Sequence, residues 1–463
     1  MEKQKRMLPY ILTVICTVIY VSLIFNNNLW LDEAFSASII RCELKEMISR
    51  TINDTLPPFY NVSAWCFTRV FGYSAFVLKL YSVLPMVLLM LVSAHYLTEI
   101  FSARTASLYI ILITAMPYML EHGIEIRMYS WALFFASATA VFAICVMREM
   151  PRTEALLIIC TVLGAYTHQF ALIAEAFVWL MLLIFYFKNN NVFLWIKRAV
   201  ICVVLYIPCA VLTVFQMKRA TSYFKATAPT VGAFLSSLRY PFVTHITVLS
   251  AMLLFMVAGF FIGAINKRDY TAAYYMVIYV LVTIMAFILM LITGSSFFSS
   301  RYLIPAIGIL WLGVSIFAGG IPLGKASDNN AADKKEIPAG MLIWSVFLLT
   351  ILITSGVNYF VQYKQEYVDS SAFEGLMAST GQDDGYVIYE DFPEIQVCLM
   401  YYAPWLKAYS EETIGDINGK KYIFVSESSG KPAEILEDEK KYKVRYLGNY
   451  AFDRYMFKAY ILQ

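Results

Sequence analysis

Two adjacent carboxylates, Asp32 and Glu33 in the stretch Trp30-Leu31-Asp32-Glu33-Ala34-Phe35-Ser36, follow an apolar run from Met7 to Phe25 that is long enough to cross a bilayer. Such a pair can remove a proton, bind a metal ion or orient a substrate. It can also do something plainer, with Asp32 capping a helix from Glu33 to Ile40 and favouring its positive end. A second acid, Asp54, opens Asp54-Thr55-Leu56-Pro57-Pro58-Phe59-Tyr60, where the prolines remove backbone donors and force an extended entry into the next helix. Four ionisable residues then crowd the end of one apolar stretch in Glu121-His122-Gly123-Ile124-Glu125-Ile126-Arg127-Met128-Tyr129. Ionisable groups in such a place mark function more often than anchoring. His168 in Tyr166-Thr167-His168-Gln169 is by itself better explained as a structural residue at a helix end. Arg301, in Ser299-Ser300-Arg301-Tyr302, has a planar fork suited to gripping phosphate with two donors. Arg127 and Lys79 are further candidate phosphate partners, although Lys79 lies one turn inside an apolar run, where a lysine can simply snorkel to the interface.

The elements that must position these groups are membrane spans. Of 463 residues, 60% are hydrophobic, too many for a soluble protein of this size. The pattern predicts about eleven spans, near 7–25, 76–98, 104–120, 128–147, 154–168, 170–187, 198–216, 247–265, 271–293, 302–321 and 339–360. Glu2-Lys3-Gln4-Lys5-Arg6 places the N-terminus in the cytoplasm, and no small-residue cleavage site follows the first span, so it is expected to remain as an anchor. The loops holding Arg104, Arg148 and Arg152, Lys188, Lys197 and Arg198, Lys267 and Arg268, and Lys325, Lys334 and Lys335 alternate onto that same side. Asp32, Asp54, Glu121, Glu125, Arg127, His168 and Arg301 fall on the other. That pattern points to an extracytoplasmic site built from inter-helix loops, where ATP and nucleotide sugars are absent and an activated donor must be held in the membrane.

From about Val361 the apolar runs stop. Gly385 to Tyr389 and Lys421 to Val425 have the composition of buried strands, with a helix from Pro393 to Tyr402 between them. Lys443 to Phe452 and Arg454 to Leu462 predict an antiparallel pair joined near Asp453. The expected organisation is a membrane domain over 1–360, with Pro57 to Gly72 lying along the membrane surface, and an extracytoplasmic α/β domain over 361–463. The polar stretch Gly324 to Glu336 has the composition of a cytoplasmic linker. A net charge of +3 gives no case for a nucleic-acid partner. The 8 cysteines include no Cys-x-x-Cys pair, which argues against zinc and redox sites, and no disulfide is expected of Cys42 and Cys66. No nucleotide-binding glycine loop and no internal repeat are found.

Taken in order, Leu31-Asp32-Glu33, the Asp54 to Tyr60 motif, Phe71-Gly72-Tyr73-Ser74, Phe76-Val77-Leu78-Lys79-Leu80, Phe101-Ser102-Ala103-Arg104, Glu125 to Tyr129 and Arg301-Tyr302-Leu303-Ile304-Pro305 resemble the type C glycosyltransferases of the protein O-mannosyltransferase-like group, which includes the lipid A aminoarabinose transferases. The resemblance runs from about residue 7 to 320 and does not reach the C-terminal domain. It implies a polyprenyl-phosphate sugar donor, an external site, inverting transfer to a lipid, protein or glycan hydroxyl, and Asp32 as the catalytic acid–base residue. On that expectation Asp32 and Glu33 carry the chemistry and Arg127, Arg301 and Lys79 hold the donor phosphate. Asp54, Glu121, His122, Glu125, Tyr129, His168 and Tyr302 then line the substrate. The sequence departs from the group's pattern at Leu56, where a histidine is common, at Lys79, where an arginine is common, and near Arg127, where the acids are Glu121 and Glu125 rather than an aspartate. No organic cofactor is implied, and a divalent cation on Asp32 and Glu33 is an open alternative without an accompanying Asp-x-Asp. A lipid-linked sugar transporter and a non-catalytic envelope scaffold are the rival readings. A transporter calls for charges at mid-membrane or on both faces and for paired halves, neither of which the sequence shows.

Overall fold

A computed structural model of the chain describes residues 2–223, 230–266, 270–294, 298–320, 339–387, 392–409, 413, 417–427 and 443–462. The protein is a polytopic helical membrane protein with a small sheet domain at its C-terminal end. Eight helices are long and apolar enough to cross a membrane, and three shorter apolar ones run Arg6–Val21, Ala103–Ala115 and Thr153–Ala165. These helices fall at the positions of the eleven expected spans, eight of them with the length to cross a membrane. Lys267, Arg268, the basic loop at 325–335 and the linker at 324–336 lie outside the described residues.

The chain divides into two compact units. The first comprises Met1–Ser22, Ile48–Ser63 and Leu80–Phe360. Its centre is made by the helices Tyr129–Met147 and Ile304–Gly319, whose residues are buried almost throughout. They pack on small residues, as helices do where lipid competes with protein for every apolar side chain. A Cβ at Gly308 would run into Ser137 and Leu133, and one at Gly313 into the backbone of Ala272 and Met276.

The second unit comprises Leu23–Met47, Ala64–Lys79 and Val361–Gln463. The boundary expected at residue 360 is therefore incomplete, since the segment carrying Asp32 and Glu33 and the start of the Ala75–Val92 helix belong with the C-terminal part. The sheet has the order β2-β1-β3-β5-β4, with β1 (Gly385–Val387), β2 (Lys407–Tyr409), β3 (Lys421–Ser426), β4 (Val444–Phe452) and β5 (Tyr455–Leu462). β1 is parallel to β2 and β3, and the Glu394–Tyr402 helix follows β1. β3, β5 and β4 form an antiparallel set. Residues 388 and 389 of the first expected strand are outside the described set, and the short edge strand β2 was not foreseen. Ile423, Val425, Tyr460 and Leu462 alternate inward and make the core of the sheet. The hairpin turns at Asp453, which takes the left-handed conformation at φ 46°.

Three helices stand between the first span and the second, Leu31–Arg41, Leu44–Asn53 and Phe59–Phe71. The last is the stretch expected on the membrane surface. The middle one carries its apolar residues on one stripe, a pattern that the sequence reading passed over.

Candidate functional site

In the first unit the helix Ala103–Ala115 stops before Pro117, and the chain then takes a break instead of a simple loop. Tyr118 adopts φ 65°, an uncommon conformation for a large side chain. The short helix Met119–Ile124 follows, and Arg127 N–H donates to the Glu125 carbonyl at 2.6 Å before the next span begins at Tyr129. This interrupted path places Glu121, His122, Glu125 and Arg127 at a helix end without lengthening either span. Gly123 is required there because a Cβ would overlap the Tyr20 ring.

His122 lies between two partners. Its Nδ1 is 2.7 Å from a Glu125 carboxylate oxygen and its Nε2 is 3.1 Å from the Tyr240 hydroxyl. Burial, helped by the nearby Glu121, pushes the Tyr240 phenol above its ordinary range, so it keeps its proton. His122 therefore links the Glu125 carboxylate to the Tyr240 hydroxyl through its two ring nitrogens. Tyr240 in turn stacks face to face on Tyr118, with ring centroids 4.2 Å apart.

The rings then pass the cluster on. Tyr129 is 5.1 Å from His122 and 6.0 Å from His168, and His168 is 5.3 Å from Tyr302. The Arg301 guanidinium sits 5.8 Å over the Tyr129 ring. Arg301 and Tyr302 ride on a 3₁₀ turn, Ser300–Leu303, just before the Ile304–Gly319 span, where Pro305 suits the first turn of a helix. His168 does two things. Its Nδ1 accepts the Phe170 N–H at 3.0 Å and so caps the helix Gln169–Lys188. The proton of the neutral ring is then on Nε2, which has no hydrogen-bond partner among the described residues although the side chain is buried. Burial, with Arg127 and Arg301 alongside, pulls the His168 pKa down to about 3. The Tyr129 hydroxyl is likewise buried without a partner among the described residues. Arg127, Arg301, a neutral His168 N–H and the Tyr129 O–H thus form a donor-rich cluster with fixed positive charge, chemistry suited to an oxyanion.

The Asp54 motif belongs to this unit too, as a supporting loop. The Asp54 carboxylate accepts the Thr55 N–H at 2.6 Å. Gln169 Nε2 donates to the Thr55 carbonyl at 3.1 Å, Phe59 N–H donates to the Tyr166 carbonyl at 3.1 Å, and Gln216 Nε2 donates to the Leu56 carbonyl at 2.7 Å. The Thr167-His168-Gln169 motif and the double proline are therefore one assembly. Glu175 was not foreseen. It is fully buried against Gly164 in the span Gln169–Lys188, and its only signal was a single acid in an apolar run. Tyr118 and Tyr240 carried no signal at all.

Asp32, Glu33 and Lys79 lie in the second unit. The helix runs Leu31–Arg41 with Trp30 as its N-cap, starting two residues earlier than expected. Glu33 makes the cap's reciprocal bond, accepting the Trp30 N–H at 3.4 Å, and is 2% exposed. Capping therefore accounts for Glu33 rather than for Asp32, whose carbonyl accepts the Ser36 hydroxyl at 3.1 Å.

The expected phosphate role of Lys79 meets a physical obstacle. The side chain is fully buried, paired with Glu366, and donates to Asn26 Oδ1 at 2.8 Å and to the Asn28 carbonyl at 2.9 Å. An ammonium has three donors, and all three are used. A phosphate could reach it only by displacing one of these three partners. Among the described residues no group of three or more His, Cys, Asp or Glu side chains is placed to hold a metal ion. All eight cysteines are free thiols.

No protein-family model matches the sequence, and no curated protein is significantly similar to it. Solved structures are. ArnT from Cupriavidus metallidurans in the apo state matches at TM-score 0.62 and 13% identity, over 98% of this chain and 97% of that one. The same protein bound to undecaprenyl phosphate matches at TM-score 0.61 and 13% identity over the same shares. The match runs through the C-terminal domain, which the resemblance in sequence did not reach. The chain has the fold of ArnT, a type C glycosyltransferase fold.

Proposed function

We propose that this protein is an integral-membrane glycosyltransferase that moves a sugar from a polyprenyl-phosphate donor to an acceptor hydroxyl on the extracytoplasmic face. The observation that carries the reading is the donor cluster of Arg127, Arg301, His168 and Tyr129 in a chain with the fold of ArnT, a protein also solved with undecaprenyl phosphate. Asp32 takes the proton of the acceptor hydroxyl as general base. The acceptor oxygen forms a bond to the anomeric carbon as the bond from that carbon to the phosphate oxygen breaks, with inversion and oxocarbenium-like character in between. The leaving polyprenyl phosphate gains one negative charge. Arg127 and Arg301 stabilise it, while His168 and Tyr129 supply neutral donors whose protons do not move. His122 and Glu125, joined to Tyr240, line the substrate. The sugar, and whether the acceptor is lipid, protein or glycan, are to be identified by assay.

The test uses the full chain in proteoliposomes, with radiolabelled undecaprenyl-phosphate mannose or undecaprenyl-phosphate aminoarabinose as donor and envelope extract as acceptor. Wild type transfers label, and Asp32→Asn, inserted and folded to the same extent, is expected to be slower by about 10²–10⁴-fold. Wild-type transfer by Asp32→Asn would remove the general-base assignment.

A further inference from the structure

The loop that delivers Asp32 is hydrogen-bonded to the C-terminal part of the second unit and to Lys79. The Leu29 N–H donates to the Tyr402 hydroxyl oxygen at 2.7 Å, and the same hydroxyl donates to the Asn27 carbonyl at 2.9 Å. The Leu31 N–H, one of the donors that a helix start leaves without an intrahelical acceptor, faces the Tyr455 hydroxyl oxygen at 3.4 Å. Asn28 Nδ2 donates to the carbonyls of Glu366 and Val368 at 2.8 and 2.9 Å. Lys79 ties the Asn28 carbonyl and Asn26 to the Glu366 carboxylate. The Arg454 guanidinium lies 4.3 Å over the Trp30 ring, and Asp453 fixes that guanidinium by accepting its Nε–H at 2.9 Å and the Arg454 N–H at 2.7 Å.

These contacts come from residues packed in the sheet domain. Tyr402 ends the Glu394–Tyr402 helix, with its ring against Phe373 at 5.0 Å and Phe452 at 5.3 Å. Burial pushes its phenol above the ordinary range, so the hydroxyl keeps the proton it donates. Arg454 and Tyr455 lie at the β4–β5 hairpin. Residues Asn26 to Leu31 have no regular structure of their own up to the helix start, so their path is set by these bonds.

We infer that the C-terminal sheet domain is a positioning element for the transfer: Tyr402, Tyr455 and Arg454 fix the Asn27 to Leu31 backbone and with it the register of Asp32. Proteins hold a reacting group in place by locking the elements that support it. A displacement of about 1 Å can cost on the order of 10²-fold in rate. The inference rests on Asp32 being the general base, and its test separates the two.

The closing experiment compares the full chain in nanodiscs with its Tyr402→Phe/Tyr455→Phe double variant, which keeps both rings and removes both hydroxyls. Hydrogen exchange over residues 26–34 is expected to be at least about 10-fold faster in the variant, as local opening no longer costs those bonds. The turnover number with labelled undecaprenyl-phosphate sugar should fall by roughly 10- to 10²-fold, while KM for the donor, the stoichiometry of undecaprenyl phosphate binding and Tm hold. A merely structural role would lower the binding stoichiometry in step with turnover, and that result overturns the inference. Unchanged exchange overturns it too, as does unchanged turnover in the double variant when Asp32→Asn is inactive. If Asp32→Asn transfers sugar at the wild-type rate, the base assignment falls whatever the exchange shows.

Discussion

Two clusters of buried or half-buried basic groups sit at the ends of apolar helices in this chain, and they are finished differently. Around Lys79, in the second unit, every donor of the ammonium is spent on Glu366, Asn26 and the Asn28 carbonyl. Around Arg127 and Arg301, in the first, the neighbours include a histidine kept neutral and a phenol, each with a polar atom that no described residue satisfies. Buried polar atoms are nearly always hydrogen-bonded, so the ones left over ask for an explanation, and a ligand is a common one. The first pattern is how a protein builds a joint. The second is the pattern on which the proposed anion site rests. Residue type and position along the helix do not distinguish them; the partners found for the neighbouring polar atoms do.

The contrast can be broken most forcefully at Lys79. Lys79→Met leaves Glu366 buried without its cation, which typically costs about 3–5 kcal/mol. The double variant Lys79→Met/Glu366→Met should recover most of that loss, as read by thermal unfolding in nanodiscs. If Lys79→Met left stability untouched but abolished undecaprenyl phosphate binding, Lys79 would belong to the binding cluster instead. Arg127→Gln and Arg301→Gln should behave in the opposite way. Each is expected to lower turnover by about 10²–10³-fold, with a change in Tm far smaller than that of Lys79→Met.

His168 sharpens the comparison through pH. Its folded pKa, about 3, is below the ordinary 6.5, so as pH falls the unfolded chain takes the proton first. The stability that comes from keeping this ring neutral is complete above about 6.5 and drains away between there and about 3. His168→Gln should therefore flatten the acid limb of a Tm-against-pH curve, while transfer by wild type shows no ionisation of His168 between pH 5 and 8. The smallest expected effect is at Tyr240→Phe, which removes the hydroxyl facing His122 and should cost about 0.5–1.5 kcal/mol in Tm-derived stability.

The parts legible in the sequence were those where composition is the physics. Each of the eleven apolar stretches became a long or short apolar helix, because a span must satisfy its backbone internally and be apolar outside. Four of the five strands of the C-terminal domain were legible, β1 and β3 by their apolar composition. Arg127, Arg301 and the ionisable group near 121–129 stood out because charge is expensive beside lipid. Three other features were hidden for stated reasons. The Lys79–Glu366 pair joins residues 287 apart, with nothing local to announce it. Tyr118, Tyr240, Tyr402 and Tyr455 were indistinguishable among 33 tyrosines, since a tyrosine's role depends on where its hydroxyl finds a partner. The helix at Leu31–Arg41 begins two residues early, so that Trp30 caps it and Glu33 closes the cap. That shift makes Glu33, rather than Asp32, the residue that closes the cap.

The most direct measurement is equilibrium binding of undecaprenyl phosphate, set against undecaprenol, to the full chain in nanodiscs. Wild type should bind the phosphate saturably and the alcohol much more weakly. The preference should vanish in Arg127→Gln/Arg301→Gln and persist in Lys79→Met/Glu366→Met. Equal binding of phosphate and alcohol, or an undiminished preference in the double arginine variant, would contradict the assignment of the Arg127–Arg301–His168 cluster as the phosphate site.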